Sequence, residues 1–271
     1  MQNELFNVKN KVIILTGGSG ILGSCMAKYL AKEGASIVIL DLNENAGKAL
    51  ETAICNEGRK ALFLKTNVLD KQILERNTKD ILDAFGRIDV LINLAGGNMQ
   101  GATIPPDKTF FDMDIDAFRK VVDLNLFGTV IPTMVFAKVM VEQKKGSIIN
   151  ISSESSLRPL TRVVGYGTAK AAINNFTQSM AGELAIKFGE GLRVNAIAPG
   201  FFLTEQNRAL MTNPDGSHSD RCKTVIAHTP FRRLGQPDEL LGVVHWLASD
   251  ASAFVTGTVI PVDGGFDAFS I

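Results

Sequence analysis

The 271-residue chain has little cysteine and no surplus of charge of either sign. Its three cysteines, Cys25, Cys55 and Cys222, are scattered, with no C-x-x-C and no paired framework. That excludes a disulfide scaffold and points to a reducing, cytoplasmic setting. Lys and Arg number 28, as do Asp and Glu, so there is no electrostatic case for nucleic acid or an acidic membrane surface as a partner. No apolar run reaches membrane-spanning length, and the opening MQNELFNVKNK has no signal-peptide core. His218, His228 and His245 lack ligand spacing with cysteines or carboxylates, so no metal site is expected. Internal repeats and low-complexity segments are also missing.

What is present is a regular alternation. VIIL at 12–15 reads as a buried parallel strand, followed by glycines at 17, 18, 20 and 23 and then a helical pattern ending at Gly34. SIVILDLN is a second strand ending in Asp41, and ENAGKALETAICNEGRK a helix. ALFLKTNV is a strand, KQILERNTKDILDAFGR a helix, and IDVLINLAGG a strand that ends in a glycine turn. Residues 98–114 read as an irregular insertion and 115–142 as one long helix. GSIINISS is a strand, 165–188 a helix, LRVNAIAPG a strand, and 201–235 a polar, mixed segment. Pro237 starts a last helix and GTVIPVDGG is the final strand. The expectation is one α/β domain over 1–271, a doubly wound parallel sheet with helices on both faces. Ligands then bind beyond the carboxyl ends of the strands.

The first strand–glycine turn–helix unit meets the context of a dinucleotide fingerprint. Glycine lets backbone amides approach a pyrophosphate, and the helix N-terminus favours its charge. Asp41, 18 residues after Gly23, is placed to accept from an adenosine ribose and to repel a 2′-phosphate. NAD is therefore expected over NADP. A tight turn with no ligand is the plain alternative. Tyr166 and Lys170 stand four apart, on one helix face. An ammonium about 4 Å from a phenol, at an effective dielectric near 20, is worth about 4 kcal/mol, or about three pKa units. Such a pair could transfer a proton near neutral pH. Asn125 interrupts an apolar helical run, where a buried amide needs partners. Ser153 ends a strand 13 residues before Tyr166.

TGGSGILG, NLAG, Asn125, Ser153, Tyr166-x-x-x-Lys170, Pro199–Gly200 and PVDGG together resemble the short-chain dehydrogenase/reductase family over essentially the whole chain. The resemblance implies a catalytic set of Asn125, Ser153, Tyr166 and Lys170. Tyr166 would exchange the proton, and Lys170 would lower its pKa and hold the nicotinamide ribose. Ser153 would orient the substrate oxygen, and Asn125 would anchor a water beside Lys170. The resemblance also implies a dinucleotide site of Gly17, Ser19, Gly20, Ile21, Leu22, Asp41, Leu42, Asn67, Val68, Asn93, Ala95, Gly96, Tyr166, Lys170, Pro199, Gly200, Phe202 and Thr204. Two positions depart from the family pattern. Its middle glycine would fall at 21, where this chain has Ile21 after Gly20, and its adenine-contacting Asp is Asn67 here.

Substrate choice is expected in the loop at about 201–235, rich in Glu205, Gln206, Asn207, Arg208, His218, His228 and Arg232, with Glu154, Arg158 and Arg162 near Ser153. That inventory suits a polyhydroxylated carboxylate. NLAGGNMQGAT, APGFFLTEQNRALMTN and HTPFRRLGQPDELLG resemble the D-mannonate oxidoreductase, or fructuronate reductase, branch. Membership there implies Asn98, Ser153, Arg158 and Gln206 around a sugar acid, and the wider family implies a homotetramer. Gluconate, another polyol or a 3-oxoacyl thioester are alternative substrates on the same fold. A dinucleotide-sensing protein without activity is the alternative outside it.

Overall fold

The β-branched runs are the strands of one parallel sheet. In chain order they are β1 (Val12–Thr16), β2 (Ser36–Asp41), β3 (Ala61–Lys65), β4 (Val90–Asn93), β5 (Gly146–Ile151), β6 (Leu192–Pro199) and β7 (Val259–Val262). They are hydrogen-bonded in the order β3-β2-β1-β4-β5-β6-β7, every neighbour parallel. The structure, a computed structural model, describes residues 4–269, apart from the side chains of Glu205, Gln206 and Ala209.

Nine helices are described: α1 (Ile21–Lys32), α2 (Glu44–Asn56), α3 (Lys71–Phe85), α4 (Ile115–Val122), α5 (Gly128–Gln143), α6 (Val164–Phe188), α7 (Glu205–Met211), α8 (Asp220–His228) and α9 (Leu241–Ala248). Strand pleat sorts the apolar side chains between two cores. Ile13, Leu15, Ile37 and Ile39 pack with Met26, Leu30, Leu50 and Val244 of α1, α2 and α9. Val12, Ile14, Val38 and Leu40 face the other way, onto Leu74, Phe136, Met140 and Leu184 of α3, α5 and α6. Both faces being covered, the strands read as unbroken apolar runs. Side chains stop the helices where the sequence demands it. Asp70 accepts from the amides of Gln72 and Ile73 at the start of α3, and Gly86 ends that helix at φ 76°.

The long helix expected at 115–142 is interrupted. Between α4 and α5, Asp123–Phe127 form a π turn. Asn125 is fully buried there, and its Nδ2 donates to the carbonyl of Val121 at 2.7 Å. The amide thus serves a carbonyl that the widened turn leaves without its usual partner. By length and composition Ile115–Gln143 would cross a membrane. Half of its most apolar window is buried, and it packs on α3, α6 and the sheet, as a core helix does. Residues 201–235 fold into α7 and α8 around a small core of Met211, Cys222 and Val225, flanked by Phe201, Leu203, Leu210 and Leu234. Cys25, Cys55 and Cys222 are free thiols.

A chain of amides and hydroxyls crosses the second core. Asn93 Nδ2 donates to Asn150 Oδ1 (2.9 Å) and Thr133 Oγ1 (3.0 Å), and Asn150 Nδ2 donates to Thr177 Oγ1 (2.9 Å). It ties β4 and β5 to α5 and α6. Asn150→Ala is expected to lower stability by about 1–3 kcal/mol, because Asn93 and Thr177 lose buried partners. Thermal melting reads this at roughly 2–4 °C per kcal/mol; an unchanged Tm would show the chain to be dispensable.

Candidate active site

Strand order reverses between β1 and β4, and the carboxyl ends open into a cleft of about 520 Å³. The turn after β1 is packed backbone to backbone. A Cβ on Gly17, at φ +62°, would lie 2.9 Å from Ala95 Cα, and one on Gly23 would lie 2.8 Å from the Gly17 carbonyl. Thr16 Oγ1 accepts from the amides of Leu94 and Ala95 at 3.1 Å each and fixes this approach. Gly20 is the N-cap of α1 and offers no side-chain cap, so the first amides of α1, at Ile21, Leu22 and Gly23, are open to an anion. Ile21 opens the helix and Gly20 takes the cap, so the turn keeps its length despite the displaced glycine.

Beside this turn Asp41 Oδ2 accepts from Ser19 N and Oδ1 from Asn43 N, both at 3.0 Å. Leu42 next to it is 62% exposed, an apolar surface for a ring. Asn67 is exposed at the end of β3 and accepts from Leu69 N, while Val68 is buried. Open helix amides, a carboxylate at ribose distance in the chain and an exposed apolar side chain fit a dinucleotide. Gly17, Ser19, Gly20, Ile21 and Leu22 would hold its phosphates, and Asp41, Leu42, Asn67 and Val68 its adenosine. The Asn93 side chain does not join them. It is spent inside the sheet on Thr133 and Asn150.

Tyr166 and Lys170 leave α6 on one face, as their spacing predicts. The direct charge contact expected of them is not what forms. Lys170 Nζ donates to the Ile151 carbonyl at 2.7 Å and lies 5.5 Å from the Tyr166 ring centroid. A buried ammonium needs an acceptor, and the end of β5 supplies it. Burial lowers the Lys170 pKa to about 7. Burial also holds the Tyr166 hydroxyl above its ordinary value, opposed by a hydrogen bond with Ser153. Ser153 is itself the cap of a short 3₁₀ turn, and its Oγ accepts from Ser155 N. Its carbonyl accepts from Ser156 Oγ, which also takes Asn174 Nδ2 at 2.9 Å. Sequence reading missed Ser156 and Asn174. The available signal was position: Asn174 follows Lys170 by four residues and continues the Tyr166 face.

Asn125 lies behind this group. Its Oδ1 accepts from Gly97 N (3.1 Å), and its Nδ2 donates to Gly97 O and Val121 O, both at 2.7 Å. The side chain thus holds the turn after β4 against the π turn. A Cβ on Gly96 would lie 2.6 Å from Asn125 Oδ1 and 3.3 Å from Lys170 Nζ. Gly96 is what lets those two side chains converge, with Ala95 preceding it against the glycine turn.

Leu22, Asn98, Ser153, Tyr166, Pro199, Gly200, Phe202 and Thr204 do line one cleft. Arg158 does not reach it. Its guanidinium is held by Asp267, with Nε 2.9 Å from Oδ1, and it is half exposed. Arg221, not singled out from the sequence, lines the cleft instead. Its guanidinium donates to Thr161 Oγ1 and O at 3.1 and 3.2 Å. Gln206 lies on α7, but its side chain falls outside the described residues. The polar character expected of the loop mostly faces water: Arg208, His218, His228 and Arg232 are exposed. Phe201, Phe202, Leu210 and Met211 give the cleft an apolar wall, and Asn98, Thr103, Asn207 and Arg221 its polar points.

Comparison with known proteins agrees with this geometry. A family model described as enoyl-(acyl carrier protein) reductase matches residues 18–267. The chain is 44% identical over 274 residues to the uncharacterized oxidoreductase UxuB of Bacillus subtilis (strain 168), covering 97% of both. It is 36% identical over 269 residues to a 2-dehydro-3-deoxy-D-gluconate 5-dehydrogenase of Formosa agariphila, covering 98% of this chain and 96% of the relative. A crystal structure from Haemophilus influenza, provisionally assigned as a D-mannonate oxidoreductase and containing bound NAD, superposes with a TM-score of 0.91. It shares 43% identity over 97% of each chain. With matches of this reach falling on a sheet that brings Ser153 and Tyr166 to one cleft, with Lys170 buried beside the Tyr166 ring, the chain belongs to the short-chain dehydrogenase/reductase family of oxidoreductases.

Proposed function

We propose that the protein is an NAD-dependent dehydrogenase of sugar acids that interconverts D-mannonate and D-fructuronate, and that it works as a cytoplasmic homotetramer. The observation that carries the substrate class is Arg221. It stands on the cleft wall with no carboxylate partner among the described residues, and its pKa is lowered by burial and by the charge of Arg162. Two neighbouring cations with no counterion among the described residues favour an anionic ligand, and a guanidinium pairs well with a carboxylate. Asn98 supports a hydroxylated substrate. Its Nδ2 donates to Thr103 Oγ1, while its buried Oδ1 receives no bond. The Haemophilus and Formosa relatives, by their descriptions, act on sugar acids. NAD is supported by Asp41, whose charge opposes a 2′-phosphate, and by the NAD in the Haemophilus structure. Exposed Met134, Ile186 and Phe188 on α5 and α6 supply apolar surface for further copies. Free, scattered thiols support the reducing compartment.

Bound dinucleotide supplies or accepts the hydride at the secondary alcohol or ketone carbon. The chain does the rest. Tyr166 gives its proton to the carbonyl oxygen in reduction and takes one in oxidation. Ser153 donates to the same oxygen and keeps it within reach of Tyr166. Lys170, with a pKa near 7, exchanges protons at working pH and would hold ribose hydroxyls. The apolar wall excludes water from the reacting carbon.

The apolar wall of Phe201, Phe202, Leu210 and Met211 also favours a second reading, a 3-oxoacyl thioester. Fructuronate, 5-ketogluconate and a 3-oxoacyl thioester, each with NADH and NADPH, separate the two. Turnover of the thioester alone sinks the sugar-acid reading. Arg221→Ala is expected to raise KM for the sugar acid at least tenfold, in line with about 1.5–3 kcal/mol for a charged hydrogen bond. KM for a neutral ketose should barely move; equal effects on both would end the carboxylate role. Tyr166→Phe is expected to cut kcat by about 10²–10⁴ while leaving dinucleotide affinity in place, and full activity would move proton transfer elsewhere. Fluorescence titration of Asp41→Asn should show the preference for NADH over NADPH fall about tenfold or more. An unchanged ratio would mean that Asp41 does not read the ribose.

A further inference from the structure

Glu154 follows Ser153 directly and is 1% exposed, yet neither of its carboxyl oxygens receives a hydrogen bond. An isolated buried carboxylate is among the costliest groups a fold can hold, and it takes up a proton instead. Its surroundings supply the same pressure. The charged groups that bear on it among the described residues are Asp263 and Asp267, from the turn after β7, and Arg158, from its own loop. Arg158 is already engaged by Asp267. Asp263 bears on Glu154 both by its charge and by a carboxyl–carboxyl hydrogen bond, and each raises the Glu154 pKa. Two acceptors bond only if one keeps a proton.

Geometry decides which one. Asp263 Oδ1 accepts from Gly265 N at 2.8 Å and Oδ2 from Asp267 N at 2.7 Å. Both Asp263 oxygens already accept amide protons while those of Glu154 accept none, so the proton between the two carboxyls is carried by Glu154. Asp263 is also lodged against the end of β6. A Cβ on Gly200 would lie 2.6 Å from Asp263 Cα, so only glycine admits it. The contact therefore joins the segment after β7 to the Ser153 and Pro199–Gly200 turns, both of which border the cleft.

We infer that Glu154 and Asp263 share one proton, carried by Glu154, and that this bond is a positioning contact that sets the Ser153 turn against the cleft. Glu154 acts through Ser153 and takes no part in the chemistry. Burial first, and then the charges of Asp263 and Asp267, raise its pKa to about 8 from the ordinary 4.5. The native state then binds the proton more tightly than the unfolded chain. Its stabilising effect is complete below about 4.5, declines as pH rises from there to about 8, and is level beyond.

The experiment compares wild type, Glu154→Gln, Glu154→Ala and Asp263→Asn. Infrared difference spectra at pH 6 should show the stretch of a protonated carboxyl in the wild type that is lost in Glu154→Gln. Asp263→Asn should lose it as well, although Glu154 is still present, because an amide at 263 can donate to an ionised Glu154. The Tm advantage of Glu154→Gln over wild type should widen between about pH 5 and 8 and then stay constant. With any ketone the enzyme reduces, Glu154→Ala should lower kcat about tenfold at pH 7 and leave dinucleotide affinity unchanged, and Glu154→Gln should recover most of the loss. A carboxyl band that survives in Glu154→Gln, or a Tm gap that does not vary with pH, overturns the shared proton. A band retained in Asp263→Asn removes Asp263 as the partner. Equal kcat in Glu154→Ala and wild type removes the positioning role. The infrared and melting arms stand whether or not a sugar acid is the substrate.

Discussion

Parallel strands cannot be joined by tight turns, and that constraint organises the molecule. Each strand must be followed by a crossover that returns the chain to the opposite end. All seven carboxyl ends therefore finish on one side, and the loops that leave them crowd together where the order reverses. Residues far apart in sequence, such as Asn98, Ser153 and Arg221, meet there without any of them having local reason to. Glycine is required where two such loops touch backbone to backbone, at Gly17 against Ala95 and at Gly200 against Asp263.

The site built on that rim is a set of buried polar groups that satisfy one another. Lys170 bonds the last carbonyl of β5, Asn125 bonds both backbone groups of Gly97, and Asn174 and Ser156 bond around the Ser153 carbonyl. Each bond fixes a group next to a reacting one, so positions are set before any ligand arrives. Low polarity also tunes the protons. It draws Lys170 towards neutrality, raises Tyr166 and keeps Glu154 protonated. Three titratable groups within one short stretch thus depart from their solution behaviour with burial as the largest cause in each.

Much of this was legible in the sequence. Apolar runs gave the strands because both sheet faces are covered, and the glycine turn between β1 and α1 was readable because its context was local. Tyr166 and Lys170 were readable because helical spacing puts both on one face. What was not legible depended on distant partners. Arg158 and Arg221 are equally basic on paper, and only the approach of Asp267, 109 residues away, removes the first from the cleft. The polar loop read as a lining, but it turns Arg208, His218 and His228 outward. The π turn at Asn125 leaves no mark on periodicity, since it rests on one side chain capturing one carbonyl. Lys170 pointed the right way with the wrong effect, because spacing says nothing of desolvation.

The small core of Met211, Cys222 and Val225 is separate from the two cores that cover the sheet. Helices α7 and α8 are held together by their own contents and meet the rest of the protein at a few points, among them the ring contact of Phe201 with Phe266. Among the described residues Phe202 is the point at which this unit enters the first of those cores; the rest of its buried apolar side chains lie outside them. Inheritance of the reaction and inheritance of the substrate are then carried by different parts of the chain, free to diverge at different rates, and a graft of residues 201–235 between relatives would move one and leave the other behind.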